Sequence, residues 1–261
     1  MIEQIFSMLF YGMLTTFSTM FILWCIYLIT DKPLIVDFGW GMGIALLAIL
    51  YAIIGDGYVL RKILIAVMAG FWGIRLALYL LFTRVLKNHV DGRYEELRIR
   101  WKKNLKIKFF FFFEFQAVLS VILSIPFLLM CINSTSTISL LEYCGIIIWC
   151  IAIIGETIAD NQLKKFKSNP ENKGKVCQVG LWNYSRHPNY FFEWLIWVGF
   201  FIAALSSQYG WISIICPLMM LYLLFRVTGI PMTEEQSLRS KGDAYREYQK
   251  TTSAFFPWKK K

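Results

Sequence analysis

Apolar residues gather along this chain in seven long blocks, at about 5–29, 36–54, 61–86, 109–132, 138–163, 189–206 and 210–230. Most of them reach the roughly 20 residues that a helix needs to cross bilayer hydrocarbon. The polar stretches between them are short, apart from 87–108 and 164–188. This pattern predicts an all-α fold, a polytopic membrane bundle of about seven transmembrane helices. A polar tail follows, with Leu238, Tyr245 and Tyr248 spaced as anchors of a cytoplasmic amphipathic helix, either a lid under the bundle or a membrane-surface anchor. The whole of 1–261 reads as a single integral-membrane domain. The first block opens on Glu3 instead of a basic region and has no clear small-residue cleavage site, so it is expected to be a retained span.

Composition agrees with that picture. Hydrophobic residues make up 57% of the chain and its mean hydropathy is +0.52, against about 45–50% apolar in soluble domains. Five of the six cysteines fall in apolar blocks, and only Cys177 sits in a polar loop. Neither a disulfide framework nor a Cys/His zinc spacing is present, and no metal is expected.

Charge orients the bundle. Of the 27 basic residues, 24 fall in the segments 84–108, 164–186 and 226–261 or at Lys32, all on one predicted side. Arg61 and Lys62 fall opposite, and Arg75 lies inside a block. The positive-inside rule then places the C-terminus in the cytoplasm and the N-terminus outside. The net charge of +10 has a second reading beside topology, an anionic soluble ligand met by three converging basic segments. Nucleic acid is not expected, because no binding module accompanies the charge.

Several polar groups inside apolar blocks carry candidate chemistry. A cationic loop (Asn183, Tyr184, Ser185, Arg186, His187) enters an apolar helix through Pro188, a residue suited to a first helical turn. Asn189, Glu193 and Trp197 are four apart and share one helix face. A carboxylate such as Glu193 in a membrane segment marks a functional site, unless it only caps a helix near the headgroups. In the second block Asp37 precedes glycines at 39, 41 and 43, which open the backbone to a neighbouring helix or a ligand. Asp37 is either an acid at a cavity mouth or a first-turn complement to the helix dipole. In the third block Trp72, Arg75 and Tyr79 share a face, and Arg75 needs an acid or an anionic ligand.

The stretch Asp91–Trp101 reads as an amphipathic surface segment, and Phe109–Phe113 as lipid-facing or core packing. Glu156, Asp160, Lys164 and Lys167 form one row from membrane to cytoplasm. Such a row makes local ion pairs, or it takes ribose hydroxyls and then phosphates. In the tail, Thr233 and Gln236 after Pro231 form a capping-box pattern.

Glu156–Lys167, Gly180–Trp197 and Glu234–Trp258 together resemble the membrane-embedded steroid 5α-reductase superfamily, most of all its bacterial branch of proteins of unknown function. That resemblance implies NADPH-dependent reduction of a carbon–carbon double bond conjugated to a ketone, in a bacterial inner membrane ahead of an endoplasmic reticulum. The substrate would be lipophilic, steroid- or isoprenoid-like. It implies a cofactor-binding half at about 138–258, with Asp160, Lys164, Lys167, Asn189, Glu193, Trp197, Arg75, Arg84, Tyr184 and Tyr248 on the cofactor. Glu156, Arg186, His187 and Tyr245 complete the walls of the expected pocket. The family's substrate pair is a Glu in the second span and a Tyr in the third. Here Asp37 stands near the first, Trp72 where Tyr is expected, and Tyr79 further on, so these three are the catalytic candidates, with Asp37 as hydrogen-bond donor to the enolate oxygen.

Arg186-His187-Pro188-Asn189-Tyr190 and Glu234-Glu235-x-x-Leu238 with Tyr245, Tyr248 and Pro257 are similar to isoprenylcysteine carboxyl methyltransferases and phospholipid methyltransferases. That resemblance implies S-adenosylmethionine in place of NADPH. A non-enzymatic lipid-binding protein is the third expectation. In each case membrane lipids surround the chain.

Overall fold

A computed structural model describes residues 2–87, 92–227 and 229–260. All regular structure among them is helical, apart from one isolated bridge between Ser185 and Ser253. Asp91, the start of the expected amphipathic stretch, lies outside the described residues.

Five helical runs are long and apolar enough to cross a membrane: Ile2–Thr30, Ile35–Ile54, Val59–Val85, Leu140–Ser168 and Gly210–Lys241. A sixth exists if Leu105–Leu123 and Ile125–Cys131, bent by 43°, are one span. The protein is therefore an integral, multi-pass membrane protein, with five or six such runs among the described residues against the seven expected. The difference has two sources. Pro126 has no N–H to continue the ladder, so the expected span 109–132 breaks at Ser124. The expected span 189–206 forms a helix of only 17 residues, Pro188–Ala204, shorter than the roughly 20 a span needs.

The chain divides into two compact units, Met1–Glu142 with Ala203–Ile215 and Tyr143–Ile202 with Cys216–Lys261. The first contains α1 (Ile2–Thr30), α2 (Ile35–Ile54), α3 (Val59–Leu80), α4 (Gly92–Trp101), α5 (Leu105–Leu123) and α6 (Ile125–Cys131). Its α2 and α3 meet backbone to backbone at Gly41 and Gly73. A Cβ on Gly73 would lie 2.5 Å from the Gly41 carbonyl oxygen and one on Gly39 2.3 Å from Leu23 of α1, so the close approach expected of the 39–41–43 glycines is made by Gly41 to α3 and by Gly39 to α1. Gly43 has ordinary clearance to Ser120.

The phenylalanine run of α5 divides by helical period. Phe109 and Phe113 are fully buried against Tyr27 of α1, while Phe111 is exposed on the outer face. Helix α4 packs through buried Tyr94 and through Leu97, and its Arg98 donates to both carboxylate oxygens of Asp31, at 2.8 and 3.2 Å. At the other end of this unit Arg61 and Glu142 form an ion pair at 1% exposure each. The remaining guanidinium donors reach the carbonyls of Asn133, Thr135 and Thr137 at 2.7–2.9 Å. One arginine thereby ties the loop after α6 to α3.

The second unit contains α7 (Leu140–Ser168, from Tyr143 on), α8 (Pro188–Ala204, to Ile202), α9 (Ile215–Tyr222, from Cys216 on), α10 (Ile230–Lys241) and α11 (Asp243–Thr251). Gly155 of α7 receives the Phe192 ring of α8, where a Cβ would sit 2.3 Å from the ring. The expected amphipathic tail is two helices, α10 and α11, separated by Gly242 at φ +55°.

Candidate functional site around Glu234

The 180–187 loop and the end of the chain build one cluster in the second unit. Backbone pairing aligns them: the Arg186 N–H donates to the Ser253 carbonyl at 2.8 Å, and the Trp258 N–H to that of Tyr184 at 3.0 Å. The Ser185 hydroxyl, fully buried, donates to the Phe255 carbonyl at 2.8 Å and accepts from the His187 N–H at 3.1 Å. Tyr248 of α11 donates to the carbonyl of Trp182, and the Ser185 carbonyl lies 3.1 Å from the same hydroxyl. The helix expected as a lid or surface anchor is thus fastened to the loop by its buried tyrosines.

Within this frame Arg186 and His187 converge on Glu234. Glu234 Oε1 accepts from Arg186 Nε at 2.6 Å and lies 3.2 Å from His187 Nε2, while Oε2 accepts from Gln249 Nε2 at 2.8 Å. Arg186 also donates to the carbonyls of Gln249 and Thr252, at 3.0 and 2.6 Å. His187 is buried and stacks on Tyr190, whose hydroxyl meets Thr233 Oγ1 at 3.2 Å.

Burial pushes the Tyr245 hydroxyl up to about 12 and raises that of Tyr248 further, so both remain hydrogen-bond donors. Burial also lowers His187, the largest influence on it, although Glu234 pulls the other way. Neutral imidazole beside a carboxylate is the result. Beside the cluster, Leu224, Ile230, Phe255, Phe191 and Trp194 form an aromatic wall. Trp194 Nε1 is buried there and has no acceptor among the described residues.

The expected capping box does not form. Thr233 lies inside α10, beyond its N-cap Gly229, and its hydroxyl donates back to the Gly229 carbonyl at 2.9 Å. Pro231 starts the helix earlier than the Thr–Gln spacing implied.

The other expected residues of this unit lie on α7, α8 and the loop. Glu156 is buried, Asp160 half-buried, and Lys164 and Lys167 exposed, along one face of an unbroken helix. On α8, Asn189 and Glu193 are half-buried and Trp197 fully buried. Tyr184 is exposed, whereas Tyr245 and Tyr248 are buried.

Asp37, Trp72, Arg75, Tyr79 and Arg84 belong to the first unit. Asp37 accepts from the Tyr94 hydroxyl at 2.7 Å and has Arg84 at 3.9 Å. Trp72 is buried against Trp40 and Tyr79 is exposed, with Arg75 half-buried between them along α3. Tyr94, Gln249 and Thr252 were not singled out from sequence as site residues, and Glu234 appeared there only within a motif. Their partners are distant in the chain, and only the Glu234-Glu235 pair gave a signal. Among the described residues no group of three His, Cys, Asp or Glu side chains is placed to hold a metal ion.

A stretch of 46 residues is 44% identical to the "Probable O-methyltransferase ustE" of Ustilaginoidea virens, covering 18% of this chain and 16% of that protein. No solved structure matches the chain. A family profile matches residues 23–252, taking in α2 to α11 and the whole Arg186–His187–Glu234 cluster, and the chain belongs to that family, described as "Protein of unknown function (DUF1295)".

Proposed function

We propose that this protein is an S-adenosylmethionine-dependent methyltransferase acting on a lipophilic acceptor at the cytoplasmic side of the membrane. The observation that carries the reading is the convergence of Arg186 and His187 on Glu234 in a cluster closed by the tail. Similarity to a probable O-methyltransferase supports it from outside the structure.

The residues present suit that cofactor. Its amino-acid end has both charges, its sulfonium favours aromatic faces, and its adenosine needs stacking and donors. The cluster offers a carboxylate, a guanidinium, three tyrosines, and an indole N–H that has no acceptor among the described residues. Tyr184, Arg186, His187, Asn189, Glu193, Trp197, Glu234, Tyr245 and Tyr248 would hold it. The bound group supplies an activated methyl on sulfur. The chain's part is to orient it, to exclude water with the Phe191–Trp194–Phe255 wall, and to keep Arg186 and Glu234 neutralised together.

A second reading, NADPH-dependent reduction of a lipophilic enone, draws on the α7 face. Burial there falls from Glu156 through Asp160 to exposed Lys164 and Lys167, as a ribose followed by phosphates requires. Asp37, Trp72, Arg75, Tyr79 and Arg84, which the sequence resemblance assigns to this reading, lie in the first unit.

Thermal unfolding of the purified full chain in detergent separates the two. A ligand at 100 times its Kd stabilises by about 2.7 kcal/mol. Stabilisation by S-adenosylmethionine and S-adenosylhomocysteine, and none by NADPH, is expected. Stabilisation by NADPH alone transfers the site to the reductase reading. A response to neither leaves a non-enzymatic lipid-binding protein.

A further inference from the structure

Two cations, Arg61 and Lys62, stand at the end of α3 remote from the basic segments, where the charge pattern gives them no topological purpose. Arg61 is accounted for: buried, paired with Glu142, and bonded to three carbonyls. Lys62 is different. Its ammonium donates to the Gly55 carbonyl at 2.7 Å, where α2 ends, and it forms no ion pair among the described residues. Two of its three N–H donors remain.

Lys62 lines an open groove of about 420 Å³ between α2 and α3, together with Ile49, Ile53, Ile63, Ala66 and Val67. Both helices are among the membrane-crossing runs, so the medium facing this groove is hydrocarbon. From Lys62 to Val67 it follows α3 for about 8 Å, about half of the roughly 15 Å depth of one leaflet. Apolar lining of that length beside a cation near the start of a membrane-crossing helix suits part of a lipid chain and its headgroup.

We infer that the α2–α3 groove binds one acyl chain of an anionic phospholipid, with Lys62 on the phosphate. The site is independent of the cofactor cluster and stands whichever reading of that cluster holds. Adjacent Arg61 cannot share the headgroup, because its donors are consumed inside the fold. Selectivity therefore rests on Lys62 alone.

Native mass spectrometry of the full chain, released from detergent with 1-palmitoyl-2-oleoyl phosphatidylglycerol or its phosphatidylcholine counterpart, tests this. Retention of the first phosphatidylglycerol molecule over phosphatidylcholine by about fivefold is expected, the factor one lysine contributes near an anionic surface. Lys62→Gln, which keeps a donor for the Gly55 carbonyl, should abolish the preference, and Lys62→Arg should retain it. Ala66→Phe adds bulk to the groove lining and should reduce retention of both lipids. Equal retention of the two lipids by the native chain overturns the proposal, as does an unchanged preference in Lys62→Gln. Displacement of phosphatidylglycerol by inorganic phosphate alone makes Lys62 a free-anion site and overturns it equally. The thermal midpoint of each variant reports separately on folding.

Discussion

Removing the Glu234 side chain tests whether the cluster is held as its distances imply. Arg186 and Glu234 are 11% and 14% exposed, so neither is well solvated. In Glu234→Ala the guanidinium keeps the carbonyls of Gln249 and Thr252 but loses its counter-charge, and Gln249 Nε2 loses its acceptor. Breaking a buried ion pair from one side costs about 3–5 kcal/mol. The two surviving carbonyl bonds place this case near the lower end, at about 3 kcal/mol. At about 2–4 °C per kcal/mol for a chain approaching this size, the unfolding midpoint should fall by roughly 6–12 °C. Tryptophan fluorescence during heating of detergent-solubilised protein reads it directly. Glu234→Gln keeps one carbonyl acceptor and should lose about half as much. Arg186→Met combined with Glu234→Met should be less damaging than the two single losses added together. A Glu234→Ala midpoint within about 2 °C of the native chain, together with strict additivity in the double variant, would refute the argument.

Three further outcomes concern His187 of the same cluster, the Arg61–Glu142 pair and Gly155. His187 has its folded-state pKa lowered below 6.5 by burial. Its contribution is therefore complete above about pH 6.5 and is lost as pH falls from there towards the folded-state value, because the unfolded chain then binds the proton more readily. Between about pH 7.5 and 5.5 the midpoint of the native chain should drop more than that of His187→Asn; parallel curves would remove His187 from the account. Glu142→Ala leaves Arg61 charged and buried and should cost about 3–5 kcal/mol, whereas Arg61→Met with Glu142→Leu should recover most of it, both read as unfolding midpoints. Gly155→Ala forces the Phe192 ring aside and should cost about 1–3 kcal/mol, with partial recovery on adding Phe192→Leu; an unaffected midpoint would mean that α7 and α8 separate easily.

The features that were legible in the sequence are those governed by short-range rules. Long apolar blocks gave long helices, Pro188 opened α8, and the 3–4 spacing of Glu156, Asp160, Lys164 and Lys167 lies on a single helix because α7 runs without a break to Ser168. The glycines in α2 signalled close packing, although period alone did not show that Gly41 would be the one to meet α3. Span count was less legible, since Pro126 bends one apolar block and α8 stops after 17 residues. Thr233 and Gln236 matched a local cap pattern, but Pro231 had already set the helix start. Site partners were least legible. Glu234 meets residues 47 and 48 positions away, and Asp37 meets Tyr94 across 57, distances at which spacing carries no information.

The strap between residues 184–187 and 252–258 sets an order of events in the life of the molecule. Among the described residues, the last run long and apolar enough to cross a membrane ends at Lys241. The cluster, by contrast, stays open until Gln249, Thr252 and Phe255 have left the ribosome and returned to a loop some 65 residues earlier. Closure is a non-local step of the slow kind. A protein cleaved after Gly242 would retain its membrane-crossing helices while losing the Arg186–Gln249 and Ser185–Phe255 bonds. The membrane-crossing runs and the closure of the Glu234 cluster thus draw on different parts of this chain.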